Sequence, residues 1–335
     1  MKFAIVGAGA IGGYLGARLA LAGHAVTFIA RGANLGAIRS DGMKLIEEDG
    51  TERIASDVRA CEATSEAGAQ EVVLLTVKAH QVAAIAPALV ALCDAETSIV
   101  TMQNGIPWWY FQGLGGEYEG RAVTSADPGG RIAAYIDPRR VIGSVVYPAA
   151  ELMAPGVVRV IEGNRFSLGE LDGSSTPRIE AISAALTEAG FKAPVSSDIR
   201  SEIWLKLWGN LSFNPISALT HATLVDICQF PLTRALAAEM MTEAQQVAEK
   251  LGVRFRISLE KRIAGAERVG AHKTSMLQDV EQGKAIEIEA LVGAVAELGR
   301  ITQTPTPHID AVYACASLLA KTLETQHGRL RIEKR

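Results

Sequence analysis

The stretch Lys2-Phe-Ala-Ile-Val-Gly7-Ala8-Gly9-Ala10-Ile11-Gly12 decides how this chain of 335 residues begins to fold. Residues 2–6 form a short apolar run that ends in glycine, which is typical of a buried parallel strand. Helix-favouring residues follow from position 10 to position 22. In this context the first glycine makes a tight turn, the second lets a pyrophosphate approach the backbone, and the third lets helix pack on strand. The sequence therefore predicts that residues 7–12 bind a dinucleotide at a helix N-terminus.

Further apolar strands alternate with crossover segments along the first half of the chain. They are predicted at residues 25–30, 72–77 and 98–102. Such alternation indicates a parallel, doubly wound sheet of the Rossmann type. Three β-rich segments, residues 141–147, 157–161 and 165–168, then indicate a mixed or antiparallel extension of that sheet, and residues 176–189 predict one closing helix.

Strand signals disappear after residue 194, and long helical patterns take their place. These predicted helices cover residues 198–220, 231–251, 257–269, 285–301 and 306–324. A length of 335 residues favours about two domains at roughly 150 residues each. We therefore predict an NADP-binding Rossmann-like domain at residues 1–196 and an all-helical substrate domain at residues 197–335.

Composition and charge exclude several classes of function. Apolar residues make up 48% of the chain and charged residues 21%, as in globular proteins with a sizeable core. The net charge is −4, and Lys and Arg cluster only in the tail at residues 329–335, so neither nucleic acid nor a membrane is an expected partner. Four scattered cysteines show no metal-ligand spacing and favour reduced thiols in the cytoplasm, with no metal site. A homodimer is left open.

The end of the second predicted strand bears on the choice of cofactor. It reads Ile29-Ala30-Arg31-Gly32, where a carboxylate would be expected if the ribose carried a free 2′-hydroxyl. A guanidinium at this place suits a 2′-phosphate, so Arg31 favours NADPH over NADH. The alternative is a solvated surface arginine.

Two polar loops follow the third and fourth predicted strands. Val77-Lys78-Ala-His-Gln81 follows one strand and Gln103-Asn104-Gly105 the other. Because ligands of open α/β sheets bind at the carboxyl edge, both loops are candidate parts of the site. Taken alone, each loop is more typical of an ordinary turn or helix cap than of a binding site.

A predicted buried helix at residues 199–214 carries the candidate catalytic groups. Lys206, Asn210 and Asn214 recur at every fourth position, a drift of about 40° per step, so they share one stripe. A lysine on a buried stripe loses hydration and is a candidate general acid. The alternative is that Lys206 extends to water and the asparagines are helix-end polar groups.

Two later segments carry hydroxyl and carboxylate groups around predicted helix starts. They are Thr274-Ser275 and Glu287-Ile-Glu289, with Gly283 indicating a turn between them. Spacing alone predicts capping residues and a solvated charged face.

Taken together, these motifs resemble those of the ketopantoate reductase (2-dehydropantoate 2-reductase) family, and the resemblance extends over essentially the whole chain. The motifs that carry it are Gly7-x-Gly9-x-x-Gly12, Arg31, Val77-Lys78, Gln103-Asn104-Gly105, Lys206-x-x-x-Asn210-x-x-x-Asn214-Pro215 and Ser275-Met-Leu-Gln-Asp. The resemblance implies NADPH-dependent reduction of 2-dehydropantoate to (R)-pantoate, on the route to pantothenate and coenzyme A. It implies a cytoplasmic oxidoreductase acting on a small 2-oxo acid.

The resemblance also implies a role for each matching residue. Lys206 is expected to protonate the developing alkoxide, and Glu287 to pair with that lysine or with the substrate hydroxyl. Ser275 is expected to hold the substrate carboxylate, while Asn104, Asn210 and Asn214 orient substrate and cofactor amide. The expected cofactor-binding residues are Gly7, Ala8, Gly9, Ala10, Ile11, Gly12, Arg31, Lys78, Gln81, Asn104 and Glu287.

Two features depart from the family pattern, and two other functions compete with it. Trp108-Trp-Tyr-Phe111 is unusually aromatic and predicts a reshaped substrate pocket, and residues 131–137 look like an insertion. Either favours another branched or aromatic 2-oxo acid. The β-hydroxyacid dehydrogenases share the domain order but have a Gly-rich turn before the lysine, where Ile203-Trp-Leu stands here. A non-catalytic NADPH sensor would have no need of a buried lysine.

Overall fold

The computed structural model describes residues 1–328 and contains two β-sheets. Within those residues the strands are β1 (Lys2–Val6), β2 (Ala25–Ile29), β3 (Met43–Ile46), β4 (Glu52–Ala55), β5 (Arg59–Cys61), β6 (Val72–Leu75), β7 (Ser98–Thr101), β8 (Val141–Val146), β9 (Ala149–Ala154), β10 (Val157–Glu162) and β11 (Phe166–Glu170). The helices are α1 (Ala10–Leu21), α2 (Gly32–Asp41), α3 (Thr64–Ala67), α4 (Ala79–Leu89), α5 (Pro177–Glu188), α6 (Ile199–Thr220), α7 (Leu224–Gln229), α8 (Pro231–Lys250), α9 (Leu259–Val269), α10 (Ser275–Glu281), α11 (Ala294–Ile301) and α12 (Pro307–Thr325). A π-helical turn, Glu289–Gly293, leads directly into α11.

Seven strands form the main sheet in the order β11-β8-β7-β6-β1-β2-β5. All neighbouring pairs are parallel except β8 and β11, which are antiparallel. All four residues of β6 are buried, as expected for a strand covered on both faces. The predicted Rossmann-type fold is confirmed, and the carboxyl ends of β1, β2, β6 and β7 lie side by side.

A second sheet, in the order β4-β3-β10-β9, was not predicted. The expectation that residues 157–161 extend the main sheet is wrong, because β10 pairs with β3 and β9 instead. Only β8 and β11 extend the main sheet as expected. The partner of β10, the segment Met43–Ile46, lies more than a hundred residues earlier, and its four residues carry too little pattern to reveal the pairing.

Helix α1 packs against strands of both sheets, and its glycines make this possible. A Cβ at Gly16 would lie 2.4 Å from the ring of Phe28 in the main sheet. A Cβ at Gly13 would lie 2.5 Å from Val158 in the second sheet. Because glycine has no side chain, the backbone of α1 can lie close to strands of both sheets.

The described chain divides into two compact units. The first consists of Met1–Gln103, Trp108–Ala122 and Gly129–Ile199, and contains both sheets. The second consists of Asn104–Pro107, Val123–Pro128 and the chain from Arg200 onward, and is helical. Two short segments of the N-terminal half thus belong to the helical unit.

Most predicted helices of the second unit are present, with small shifts at their ends. The predicted helix at 285–301 begins instead after Glu287, and its first part is the π-helical turn. The short helix α7 was not predicted, since six residues show no helical period, and α10 was predicted only as a helix start near Thr274, without an end. Trp208 in α6 donates its indole N–H to the Met241 carbonyl of α8 at 2.6 Å, which joins the two longest helices.

The aromatic segment after residue 107 belongs to the interior of the first unit. Trp109, Tyr110 and Phe111 are at most 1% exposed, and the Trp109 indole donates to Thr101 Oγ1 at 2.9 Å. These three side chains are thus taken up by the core. The basic tail at 329–335 lies outside the described residues. Across residues 1–328, no helix combines the length and the apolar character that crossing a bilayer requires.

Candidate active site

The glycine-rich turn has the geometry that each of its three glycines was predicted to provide. Gly7 has φ +106°, and a Cβ there would lie 2.8 Å from Val77 Cγ1. A Cβ at Gly12 would lie 2.0 Å from the Gly7 carbonyl oxygen. At Gly9, by contrast, a Cβ would meet nothing within 4 Å. The first and third glycines serve the packing of the turn, while the second faces open space at the start of α1, where a pyrophosphate would fit.

Neighbouring loops are tied to this turn by side chains that sequence analysis assigned no role. Thr76, which follows β6, donates its hydroxyl to the Gly7 carbonyl at 2.7 Å. Gln103, which follows β7, donates its amide to the carbonyls of Leu75 and Val77 at 2.7 and 2.9 Å. The carboxyl ends of three strands are thereby held together, which fits the predicted ligand-binding edge.

Arg31 occupies the N-cap position of α2 and is exposed. No acidic residue lies in the first turn of that helix. Asn34, one turn further on, donates its amide to the Ala8 carbonyl at 2.6 Å and so fixes α2 to the glycine-rich turn. A polar residue three positions after Arg31 was the only sequence signal for this link. Arg31 therefore stands beside the turn without a competing carboxylate in the first turn of its own helix.

Lys78 and Gln81 lie at the start of α4. The backbone N–H of Lys78 donates to Gln81 Oε1 at 3.1 Å, so the Gln81 side chain caps this helix. Gln81 therefore acts as a helix cap in this structure, which is the alternative that the sequence left open for this loop. Its role in cofactor binding, like that of Lys78, stays a prediction.

Lys206 is the centre of the second group of candidate residues. It lies on α6, and its ammonium donates to Asn104 Oδ1 at 2.7 Å, although 102 positions separate the two residues. Burial lowers the pKa of Lys206 from 10.5 to about 8, and the negative charge of Glu287 raises it in part. The structure thus brings together Asn104, Lys206 and Glu287 within the helical unit. A partly buried amine that titrates near neutrality is suited to proton transfer.

Asn210 and Asn214 follow Lys206 on the same helix, as the spacing requires. Asn214 is 5% exposed and Asn210 is partly buried. Neither side-chain amide forms a hydrogen bond with another residue of the described part of the chain. An amide without a protein partner can bond to water or to a ligand, so both groups stay candidate ligand contacts.

Ser275 and the carboxylates after Gly283 lie at helix starts, as predicted. Thr274 caps α10, since its hydroxyl accepts the Leu277 N–H at 3.2 Å, and Ser275 is the exposed first residue. The Leu291 N–H donates to the Glu287 carbonyl at 3.2 Å, so the first helical turn begins directly after Glu287. The substrate-binding role of Ser275 stays a prediction.

Comparison with known proteins shows which family this chain belongs to. The profile described as "Ketopantoate reductase PanE/ApbA" matches residues 3–118, and "Ketopantoate reductase PanE/ApbA C terminal" matches residues 198–320. The chain belongs to the ketopantoate reductase family. A relative named 2-dehydropantoate 2-reductase from Mesorhizobium japonicum is 56% identical over 96% of this chain and 98% of its own. The predicted family, and with it the prediction of an oxidoreductase, is confirmed.

Solved structures show that the family fold extends over the whole chain. A structure from Ralstonia solanacearum, described as a candidate ketopantoate reductase, is 40% identical, has a TM-score of 0.91 and covers 96% of this chain and 98% of its own. A ternary structure of D-mandelate dehydrogenase with NADH and anilino(oxo)acetate matches with a TM-score of 0.81 over 97% and 99% of the two chains. At 21% identity, this second match shows the shared fold alone.

One further carboxylate organises the helical unit of this ketopantoate reductase family member. Glu297 in α11 accepts the backbone N–H groups of Thr124 and Ser125 at 2.8 and 2.7 Å. Burial acts to raise the pKa of Glu297, but the hydrogen bonds from Ser125 and Thr124 outweigh it and lower the pKa. Sequence analysis missed this residue, because a glutamate on an amphipathic helix resembles any solvated charge.

Proposed function

We propose that this chain reduces 2-dehydropantoate to (R)-pantoate with NADPH, using Lys206 as the proton donor. The observation that carries the proposal is the Lys206 ammonium held on Asn104 Oδ1 at 2.7 Å beside the charge of Glu287. The name of the relative that is 56% identical supports the choice of substrate. The product would serve pantothenate and coenzyme A synthesis.

Reduction of a ketone requires a cation beside the carbonyl oxygen and a proton that can be transferred to that oxygen. A bound nicotinamide cofactor supplies the hydride that forms the new C–H bond at the ketone carbon. Negative charge then develops on the carbonyl oxygen, and the Lys206 ammonium stabilises that charge more in the transition state than in the ground state. Its proton passes to the oxygen and completes the hydroxyl group, after which Lys206 recovers a proton from solvent.

Glu287 and Asn104 prepare Lys206 for this step. The nearby negative charge of Glu287 favours the charged ammonium, which burial alone would disfavour. Asn104 fixes the direction of the ammonium through its hydrogen bond. We further propose that Asn210 and Asn214 orient the substrate with their available amides, and that Ser275 holds its carboxylate.

NADPH is the proposed form of the cofactor. The open space in front of Gly9 and the helix start behind it suit the pyrophosphate. Arg31, exposed at the N-cap of α2 with no acidic residue in the first turn, suits a 2′-phosphate. Lys78 and Gln81 would lie toward the nicotinamide end, as the family resemblance implies. Cytoplasmic location and a homodimer also stay predictions.

A turnover assay tests the proposed function. NADPH consumption is followed by absorbance with 2-dehydropantoate, pyruvate and 2-oxoisovalerate in turn, and kcat/KM is expected to be highest for 2-dehydropantoate. Tight NADPH binding without turnover of any of the three would contradict an enzymatic role and favour a cofactor sensor.

Removal of the proton donor tests the mechanism. Lys206→Ala is expected to lower kcat by about 10²-fold or more and to leave the Kd for NADPH nearly unchanged, because general acids contribute on that order. Lys321→Ala, which removes an exposed lysine from α12, is the matched control. Equal kcat values for the two variants would remove Lys206 from the mechanism.

A further inference from the structure

The loop that carries Asn104 is docked on the π-helical turn Glu289–Gly293. The backbone N–H of Ile106 donates to the Ala290 carbonyl at 2.9 Å. A Cβ at Gly105 would lie 2.3 Å from the same carbonyl oxygen and 2.9 Å from the Ala290 methyl group. The loop backbone thus lies directly against Ala290, at a distance that only glycine permits.

Gly105 is restricted by its conformation as well as by space. Its φ of +91° falls in the region that favours glycine, so a side chain there would be strained even without the contact. Gly105, the residue next to Asn104, is therefore restricted both by its backbone conformation and by the space available for a side chain. The contact also joins the loop to the helix that starts directly after Glu287.

A hydrogen bond from α12 also holds the π-helical turn in place. The Tyr313 hydroxyl donates to Glu289 Oε2 at 2.7 Å. A Cβ at Gly293 would lie 2.7 Å from that same carboxylate oxygen and 3.0 Å from the Tyr313 ring. Turns of this kind inside α-helices often occur at functional sites. Here the turn presents a fixed carbonyl to the loop.

We propose that the contact of Gly105 and Ile106 with the Ala290 carbonyl sets Asn104 against Lys206, which makes Gly105 and Ala290 positioning residues of the reduction. Only the expected effect on kcat rests on the proposed function. Asn104 is separated from Lys206 by 102 positions and reaches it from a loop, so its side chain depends on an external fixed point. The Ala290 carbonyl provides such a point on the C-terminal side of Asn104, where it accepts the N–H of Ile106 two residues away.

Displacement of Asn104 has a defined effect on Lys206. The ammonium would lose the acceptor Asn104 Oδ1, and burial would continue to disfavour its charge while the charge of Glu287 would continue to favour it. Loss of a bond to the charged form lowers the pKa of Lys206 further below about 8, by about one unit.

A double-mutant cycle tests the proposal. Gly105→Ala, Asn104→Ala and the double variant are compared with the unchanged chain, using kcat and the Lys206 pKa from NMR of ¹³Cε-labelled lysine, assigned with Lys206→Arg. Gly105→Ala is expected to lower kcat by about tenfold and the pKa by about one unit, and the double variant to resemble Asn104→Ala. Additive effects would overturn the proposal, since Gly105 would then act independently of Asn104.

Matched variants separate positioning from general strain. Gly116→Ala introduces a side chain at φ +72° with nothing within 4 Å, and is expected to leave the Lys206 pKa unchanged. Ala290→Val crowds the same contact from the helix side without altering a positive φ, and is expected to lower the pKa as Gly105→Ala does. It also keeps the test decisive if Gly105→Ala fails to fold, because an unchanged pKa in Ala290→Val would overturn the proposal.

The two readouts distinguish this inference from the proposed function. If the unchanged chain fails to turn over 2-dehydropantoate, the proposed function fails, while the NMR titration still decides whether Gly105 positions Asn104. If turnover is normal and the Lys206 pKa is the same in every variant, only the positioning inference fails.

Discussion

At the scale of single residues, the sequence predicted the candidate proton donor better than its partners. The four-residue recurrence of Lys206, Asn210 and Asn214 on an apolar helix was sufficient to predict a polar stripe, and the structure places all three on α6. Asn104 and Glu287 are separated from Lys206 by long stretches of chain, so only the family resemblance indicated that they act in the same site as Lys206. Periodicity reports neighbours along one element, not contacts between elements.

Arg31 supplies a prediction at this scale. Arg31→Ala is expected to raise the Kd for NADPH by roughly 10- to 100-fold and to change the Kd for NADH little, since a bond to a charged group is lost only with the phosphorylated cofactor. Fluorescence titration with both cofactors measures the two constants. Arg121→Ala, which removes an exposed guanidinium elsewhere in the first unit, is the control. Equal weakening of NADPH and NADH would mean that Arg31 does not recognise the phosphate.

At the scale of elements, the long strands and helices were predictable and the short ones were not. Strands β1, β2, β6 and β7 begin at the predicted residues because continuous apolar runs bounded by turns are distinctive. The second sheet escaped prediction because β3 and β4 have four residues each and β3 pairs with the distant β10. Tertiary pairing, rather than local preference, makes these segments strands.

The start of α1 offers a paired prediction. Gly12→Ala is expected to lower the free energy of unfolding by about 2 kcal/mol or more, because its Cβ would lie 2.0 Å from the Gly7 carbonyl oxygen. Gly9→Ala meets no atom within 4 Å and is expected to change that free energy by less than about 0.5 kcal/mol. It should nevertheless weaken NADPH binding, because the methyl group would occupy the space in front of the turn.

Urea unfolding and NADPH titration of both variants measure these effects. Gly9→Ala keeps an ordinary backbone conformation, with φ −78°, so backbone strain is not a complication. If Gly9→Ala bound NADPH as tightly as the unchanged chain, the pyrophosphate would not approach the backbone at Gly9.

At the scale of the whole molecule, the buried lysine couples function to stability. Below about pH 8 both the folded and the unfolded chain hold the Lys206 proton, so the folded chain bears the full cost of burying the charge. Between about pH 8 and 10.5 only the unfolded chain holds it, so the free energy of unfolding rises with pH across this window. The proposed proton transfer by Lys206 would thus lower the stability of the folded chain at neutral pH.

Lys206→Met isolates this contribution. The free energy of unfolding of the variant, minus that of the unchanged chain, is expected to be larger at pH 7 than at pH 10. A pKa lowered from 10.5 to about 8 limits this change to roughly 3 kcal/mol. Urea unfolding of both chains at the two pH values measures the difference, and comparison with the unchanged chain removes the contributions of other titrating groups. A difference independent of pH would show that Lys206 keeps its ordinary pKa.

The membership of Asn104–Pro107 and Val123–Pro128 in the helical unit has a consequence for biosynthesis. Thr124 emerges from the ribosome 173 residues before Glu297, the carboxylate that accepts its N–H. At 5–20 residues per second, this interval lasts roughly 10–35 s. During that time the N–H groups of Thr124 and Ser125 lack the carboxylate that accepts them in the folded chain, so this segment cannot take its final place before residue 297 has been synthesised.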